Sequence, residues 1–157
     1  MTILYGDRGI SGYPGIRKGM EINIVHRPPT VEEYTALRRS VEWPLFDEEA
    51  VRSALANTLF AVVAVNGNGE AIGMGRVIGD NVVYFHIQDV IVRPEYQGRR
   101  VGNALMKALM AYVENNSEIN TNIGLMCSKG REPFYREFGF IERPSAKFGS
   151  GMIKIVS

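Results

Sequence analysis

The sequence predicts one α+β (mixed α/β) domain across residues 20–157, with helices flanking a single mixed sheet. Short apolar runs rich in β-branched residues, such as TLFAVVAV at 58–65, are typical of strands. Turn signals such as NGNGE at 66–70 separate consecutive runs, and the segment after Pro94 keeps its apolar residues on one helical face. The predicted order of elements is β-α-α-β-β-β-α-β-α-β.

Capping patterns place the first two helices. Thr30 followed by Glu33 predicts a capping box ahead of VEEYTALRRSV, and Asp47 precedes a second helix with acidic residues in its first turn. The short segment REPFYREF is predicted to be a helix that ends at Gly139. The remaining strands are expected near Ile22–Ile24, in AIGMGRVIGD, VVYFHIQDVIVR and NIGLMC, and finally in GFIER or GMIKIVS.

Residues 1–19 are glycine-rich and lack a sustained apolar period. One interpretation is a flexible N-terminal extension, or a start of the natural protein at Met20. The alternative is an N-terminal arm that packs on a neighbour.

Composition narrows the class of protein. The 157 residues carry a formal charge of +1, which argues against a chain whose main role is to coat nucleic acid. A single cysteine, Cys127, fits a reducing compartment, and two histidines with one cysteine do not predict a metal site. No apolar run approaches the roughly 20 residues that span a bilayer, so we expect a cytoplasmic protein without a membrane partner.

The segment QGRRVG at 97–102 begins the helix that follows Pro94. The N-terminus of a helix exposes unpaired N–H groups and can bind an anion. Gly98 and Gly102 allow the backbone to approach a ligand closely, and Arg99 and Arg100 add positive charge. From these residues alone, a phosphate site and an ordinary helix start with solvated arginines are both open.

Two longer motifs carry a resemblance to a known family. DVIVRPEYQGRRVGNALM, from Asp89 to Met106, resembles motif A of the GNAT superfamily of N-acetyltransferases, and FYREFGF at 134–140 resembles its motif B. Arg100 departs from motif A, because the family usually has glycine there. The resemblance covers roughly residues 22–157 and implies a twisted sheet that splays open near Val92 and Cys127.

The resemblance also implies acetyl-CoA as co-substrate, with no metal. The pyrophosphate of coenzyme A would lie on the backbone N–H groups that begin the helix, and the pantetheine arm would pair with the preceding strand. One N–H of that strand would serve as an oxyanion donor. The residues implied in cofactor binding are Val90, Ile91, Val92, Gln97, Gly98, Arg99, Arg100, Val101, Gly102, Asn103, Ser128 and Phe134. Ser128 stands where relatives often have asparagine.

Two residues are candidates for proton transfer. Tyr135 occupies the position of the family's general acid, and its phenol can protonate a departing thiolate. His86 lies on the strand before motif A, where relatives often carry a catalytic His or Glu, and could relay a proton through water. A hydrogen-bonded histidine of the sheet is an equal alternative. Strict alternation predicts that Gln88 shares its face and that Asp89 points to the opposite one.

The acceptor is expected to be the amine of a small molecule, bound near Trp43, Phe46 and Tyr84. These aromatic residues and nearby acidic ones suggest an arylalkylamine, a polyamine or an amino sugar. Acetylation of a protein amine, or a sensor that binds acetyl-CoA without transfer, are the alternatives. A homodimer is a further possible partner arrangement.

Overall fold

The structure is a computed structural model and describes residues 21–156. The interpretations offered for residues 1–19 therefore lie outside the described residues. The elements, in chain order, are β1 (Ile22–Val25), α1 (Val31–Ser40), α2 (Glu48–Ala56), β2 (Phe60–Asn66), β3 (Ala71–Gly79), β4 (Tyr84–Val92), a 3-10 turn (Pro94–Tyr96), α3 (Val101–Asn116), β5 (Asn122–Leu125) and α4 (Glu132–Arg136).

One mixed sheet is built from the five described strands in the order β1-β2-β3-β4-β5. The first four strands are antiparallel neighbours, and β5 pairs with β4 in parallel. The α+β class predicted from the sequence is confirmed. The chain divides into two compact units, one that ends at Leu125 and one that begins at Met126. The first contains the sheet with α1–α3, and the second contains α4.

Alternation along β3 assigns the helices to the two faces of the sheet. Met74 packs in a buried cluster with residues of α1 and α2, including Leu37 and Val51. On the other face a Cβ on Gly73 would lie 3.2 Å from the Leu105 side chain of α3, and a Cβ on Gly75 would lie 2.7 Å from that of Leu109. The two glycines therefore form a shallow channel in which α3 lies close to the sheet.

Both predicted helix caps are present. The Thr30 hydroxyl accepts a hydrogen bond from the Glu33 N–H at 3.2 Å, and the Glu33 carboxylate accepts one from the Thr30 N–H at 2.8 Å. The Asp47 carboxylate accepts from the Ala50 N–H at 2.9 Å. Each cap satisfies donors that the first helical turn leaves unpaired.

The closing strand predicted in GFIER or GMIKIVS is not formed within residues 126–156, where α4 is the one regular element. A strand needs a neighbour that pairs with its backbone and shields one of its faces. Ile141 and Ile153 are each 69% exposed and Ile155 is 78% exposed, so their alternating apolar pattern has no such neighbour among the described residues.

The longest described helix, α3, has 16 residues. Across residues 21–156, no helix combines the length and the apolar character that crossing a membrane requires.

Gly73→Ala is expected to lower the free energy of unfolding by about 1–3 kcal/mol, because overpacking forces shifts in a close-packed interior. Its Cβ would lie 2.8 Å from the backbone carbonyl oxygen of Ile91, which cannot move aside as a flexible side chain can. Gly67→Ala is the matched control, since a Cβ there would lie 4.0 Å from the nearest described heavy atom outside its chain neighbours. Urea unfolding of both variants checks the difference, and equal stabilities would show that β3 does not need glycine at Gly73.

Candidate functional site

Strand β4 continues beyond the point where its parallel neighbour ends. The paired register with β5 runs from Tyr84↔Asn122 to Ile87↔Leu125. On the opposite side, pairing with β3 extends to Gly73↔Val92. Residues 88–92 of β4 therefore border β3 on one side and, among the described residues of the first unit, have no paired strand on the other. We call this side of residues 88–92 the open edge.

A β-bulge in β4 determines which backbone groups face the open edge. Between the pairs Met74↔Ile91 and Arg76↔Gln88, β4 contains one residue more than β3. The Asn122 N–H donates to the Val83 carbonyl at 2.8 Å, so Val83 faces β5, whereas the Arg93 N–H donates to Ile72 of β3 at 2.9 Å. Two odd-numbered residues of a regular strand would face the same side. The bulge exchanges the sides to which odd- and even-numbered residues direct their backbone groups. After the bulge, Val90 and Val92 therefore face the open edge.

The bulge also corrects the predicted orientation of Asp89. Arg76 lies opposite Gln88 in the antiparallel register, so these two side chains share a face of the sheet. The Arg76 guanidinium nevertheless contacts the Asp89 carboxylate at 2.8 Å. Asp89 therefore lies on the same face as Gln88, because its φ of 51° at the bulge breaks the alternation on which the prediction relied.

The three β4 residues implied in cofactor binding differ in what they present. Ile91 directs its side chain into the core and its carbonyl towards Gly73 of β3. Val90 and Val92 direct their backbone groups to the open edge, and the Val92 carbonyl accepts a hydrogen bond from the Gln97 side chain at 3.0 Å. The Val90 N–H and carbonyl and the Val92 N–H are thus the groups that this edge offers to a ligand.

The N-terminus of α3 follows directly and has no side-chain cap. Gly98 and Arg100 have φ values of 73° and 63°, which turn the chain sharply after the 3-10 turn. The first α-helical hydrogen bond is donated by Ala104 to the Arg100 carbonyl at 3.0 Å. Among the described residues, the backbone N–H groups of the preceding helical positions have no hydrogen-bond acceptor; these positions are Val101, Gly102 and Asn103. This arrangement of unpaired donors suits an anion.

Two side chains at the start of α3 are exposed cations, and a third is buried in the core. Arg99 and Arg100 are exposed, and the Arg99 guanidinium lies 5.5 Å from the centre of the Tyr96 ring. Val101 is buried, so only its backbone is available to a ligand. The left-handed conformation of Arg100 gives a physical reason for the glycine that the motif usually has there, since side chains other than glycine rarely adopt it.

His86 lies on the part of β4 that is paired with β5. Its ring is next to Gly124, where a Cβ would be 3.3 Å from Nδ1. Burial lowers the pKa of His86 below its usual value, and the Gln88 side-chain hydrogen bond opposes this shift. The imidazole is therefore neutral at pH 7 and able to accept a proton.

In the second unit, Tyr135 belongs to an aromatic group at α4. Its ring centre lies 5.0 Å from that of Phe134 and 6.2 Å from that of Phe140. Burial raises the pKa of the Tyr135 phenol, the Cys127 thiol adds to this increase, and Arg131 opposes it. The phenol stays protonated at neutral pH and can donate a proton or a hydrogen bond.

Two further residues of the second unit precede α4. Burial raises the pKa of the Cys127 thiol, and Glu132 and Glu142 add to this effect against an opposing backbone hydrogen bond. The thiol is therefore a poor nucleophile at neutral pH. Ser128 is exposed, and its carbonyl accepts a hydrogen bond from the Arg131 N–H at 3.0 Å.

Of the three aromatic residues expected to bind the acceptor, two lie around a buried arginine. The Arg38 guanidinium is 5.2 Å from the centre of the Trp43 ring and 4.9 Å from that of Phe46. Tyr84 is 62% exposed at the start of β4, five positions before Asp89, a separation of roughly 16 Å along a strand. The structure groups Trp43 with Phe46 and places Tyr84 apart from them.

The residues between α1 and the sheet include a buried polar cluster that the sequence patterns did not predict. Arg38, Arg76 and Asp89 are 7%, 5% and 3% exposed, and the Tyr34 hydroxyl also donates to Asp89 at 3.1 Å. One signal was available, because Arg76 interrupts the apolar run AIGMGRVIG at a position that a central strand would bury.

Comparison with known proteins adds the family. Residues 33–156, which include parts of both units, match the family model described as the acetyltransferase (GNAT) domain. The solved structure of a protein of unknown function from methicillin-resistant Staphylococcus aureus is 33% identical, with a TM-score of 0.77, over 85% of this chain and 99% of its own.

Two named plant relatives are similar at the level of sequence. Serotonin N-acetyltransferase 2 of Oryza sativa subsp. japonica is 31% identical over 109 residues, which are 68% of this chain and 54% of that protein. Histone acetyltransferase TAP1 of Glycine max is 31% identical over 125 residues, which are 73% and 53% of the two chains. The matched region is thus about half the length of each plant protein.

Arg100→Gly is expected to leave the free energy of unfolding unchanged or to raise it by up to about 1 kcal/mol, because glycine relieves the left-handed conformation at a smaller entropic cost. Arg99→Gly is the matched control, since Arg99 has no positive φ and its guanidinium contacts the Tyr96 ring. Thermal unfolding should rank Arg100→Gly above Arg99→Gly. The reverse order would contradict a strained Arg100.

Proposed function

Because the chain belongs to the GNAT acetyltransferase family, we propose that it transfers the acetyl group of acetyl-CoA directly to a primary amine of a small molecule. Membership makes it an N-acetyltransferase, an acyltransferase that acts on an amine acceptor. The choice of a small molecule, the direct transfer and the roles of individual residues are the proposed part.

The observation that carries the proposal is the continuity of two sets of unpaired backbone donors. The open edge of β4 offers the backbone of Val90 and the N–H of Val92. The chain then turns through Gly98 into the uncapped N-terminus of α3. An extended ligand with amide groups and a terminal pyrophosphate matches this sequence of strand edge followed by anion site, and coenzyme A has both parts.

The residues present fit this ligand. The N–H groups of Val101, Gly102 and Asn103 would hold the pyrophosphate, and Arg99 and Arg100 would add charge at the same place. Apart from its chain neighbours, no heavy atom of the described residues lies within 4 Å of a Cβ built on Gly98. A free N–H of the open edge would donate to the thioester carbonyl and stabilise the negative charge that develops on its oxygen during transfer.

Two side chains supply the proposed proton transfers. His86, neutral at pH 7 because burial lowers its pKa, would accept the ammonium proton of the acceptor, directly or through water. Tyr135, protonated because burial raises its pKa, would donate to the departing thiolate. The raised pKa of the Cys127 thiol favours direct transfer over an acyl-cysteine intermediate.

The proposed acceptor class rests on the aromatic residues of the α1–α2 connection and on one relative. Phe46 is 56% exposed beside half-buried Trp43, which gives this segment an apolar surface. The rice relative is named for serotonin, an arylalkylamine. The soybean relative is named for histones, so peptide amines are the necessary comparison in any assay.

The experiment that tests the proposal is thiol release from acetyl-CoA with a panel of acceptors and an amine-free control. The panel contains arylalkylamines, polyamines, amino sugars, and peptides with lysine or a free N-terminus. Release that depends on a small amine supports the proposal, whereas release with peptides alone contradicts the small-molecule acceptor. Silence across the panel while acetyl-CoA still raises the melting temperature would instead indicate a sensor.

Tyr135→Phe is expected to lower kcat by about 100-fold or more, because the variant retains the ring and loses the proton donor. Affinity for coenzyme A, measured by isothermal titration calorimetry, should stay within about twofold. Tyr112→Phe is the matched control, since it removes a hydroxyl that donates to Asn81 at 2.9 Å on the exposed surface. Full activity of Tyr135→Phe would exclude the general-acid role.

A further inference from the structure

Asp89 occupies a conformation that its surroundings must hold in place. The φ of Asp89, 51°, lies in the left-handed region, and Asp89 is 3% exposed. Strained backbone of this kind persists only where neighbouring groups determine it, and it concentrates at functional sites. Here it occurs at the bulge, immediately before Val90.

Three side chains hold the Asp89 carboxylate from two other elements. Arg38 of α1 donates through Nη1 to Oδ1 at 2.8 Å. Arg76 of β3 contacts Oδ2 through Nε at 2.9 Å and Nη2 at 2.8 Å, and the Tyr34 hydroxyl donates to Oδ2 at 3.1 Å. Both carboxylate oxygens are thereby fixed, so the bulge is tied to β3 and to α1 together.

The buried ion pairs of this cluster are expected to add little net free energy of folding. Desolvation of buried ions offsets much of their attraction, and apolar residues of similar size often serve the fold as well. Two arginines and one aspartate also leave the buried group with one positive charge in excess. A role in fixing one backbone arrangement accounts for such a cluster better than a role in stability.

The bulge next to this cluster determines which backbone groups of β4 face the open edge. Without the extra residue at the bulge, alternation from Val83 upward would direct Ile91 to the open edge and Val90 and Val92 to β3. Arg38 also contacts the α1–α2 connection. Its Nε donates to the Pro44 carbonyl at 2.8 Å, and its guanidinium carbon lies 5.2 Å and 4.9 Å from the centres of the Trp43 and Phe46 rings. One guanidinium thus contacts both the bulge and the α1–α2 connection.

We propose that Arg38 and Asp89 are positioning residues: their ion pair sets the backbone register of the open edge for coenzyme A and couples that edge to the segment carrying Trp43 and Phe46. This rests on the proposed function only in taking coenzyme A as the ligand of the open edge. Neither residue need touch the reacting atoms, since both act through the backbone of Val90 and Val92.

The test is the dissociation constant of coenzyme A, measured by calorimetry on the full chain well below its melting temperature. Arg38→Met is the main variant, because it leaves the buried Asp89–Arg76 pair with no net charge, which limits the cost of removing one partner. We expect it to raise the dissociation constant by about 2- to 30-fold, the range that coupled networks typically show. Arg38→Lys, which keeps the charge, should recover part of the loss.

Arg27→Met is the matched control. It removes the ion pair of Arg27 with Glu33 of α1, at 2.7 Å. The side-chain hydrogen bonds of Arg27 within the described part of the chain go to Glu33 and Pro28, not to β4, so this variant should leave the dissociation constant within about twofold. Asp89→Asn combined with Arg38→Met keeps the net charge of the wild-type cluster without the ion pair. We expect this double variant to remain impaired, and wild-type affinity in it would show that charge, not pairing, matters.

The outcomes separate the two proposals. Failure of the wild type to bind coenzyme A would overturn the proposed function and the inference with it. Wild-type binding with an unchanged dissociation constant in Arg38→Met would overturn the inference alone. A lowered melting temperature with unchanged affinity would also overturn it, because it would reduce the cluster to a structural role.

Discussion

The extra residue in β4 is the constraint on which the candidate site depends. A regular strand would continue its alternation from Val83 to Arg93, and the open edge would then present different backbone groups. The bulge exchanges the sides of β4 to which successive backbone groups point. The buried ion pairs of Asp89 with Arg38 and Arg76 lie at the same place.

In the proposed function, the first unit would bind an anion mainly through its backbone. The positive φ values of Gly98 and Arg100 turn the chain so that the uncapped donors of α3 follow the strand edge directly. Backbone donors are fixed before a ligand arrives, whereas exposed arginine side chains must lose conformational freedom to contribute. In the proposed site, Arg99 and Arg100 would therefore add charge where the backbone sets the geometry.

Partial burial has opposite consequences for the protonation of a base and of acids. Desolvation disfavours the charged form of each group, so it lowers the pKa of the His86 imidazole and raises that of the Tyr135 phenol and of the Cys127 thiol. Each shift favours the form of its group that already predominates at pH 7, which is the neutral one. A neutral imidazole can accept a proton and a neutral phenol can donate one, which is the pair of capacities that aminolysis of a thioester uses.

Local chemistry in the sequence was sufficient for the helix caps, the hairpin turns and the position of the α3 start. A Thr30–Glu33 box or a glycine before a helix acts within a few residues, so the pattern and the structure coincide there. The two motifs likewise identified the family, since they preserve residue types at fixed spacing.

Tertiary structure decided the features that depend on contacts distant in sequence. The bulge at Asp89 comes with side-chain partners 51 and 13 positions away, and strict alternation could not reveal it. The grouping of Trp43 and Phe46 around Arg38, without Tyr84, depends on how α1 packs on the sheet. The final strand predicted in GFIER or GMIKIVS did not form within residues 126–156, because a strand also requires a partner that its own sequence does not supply.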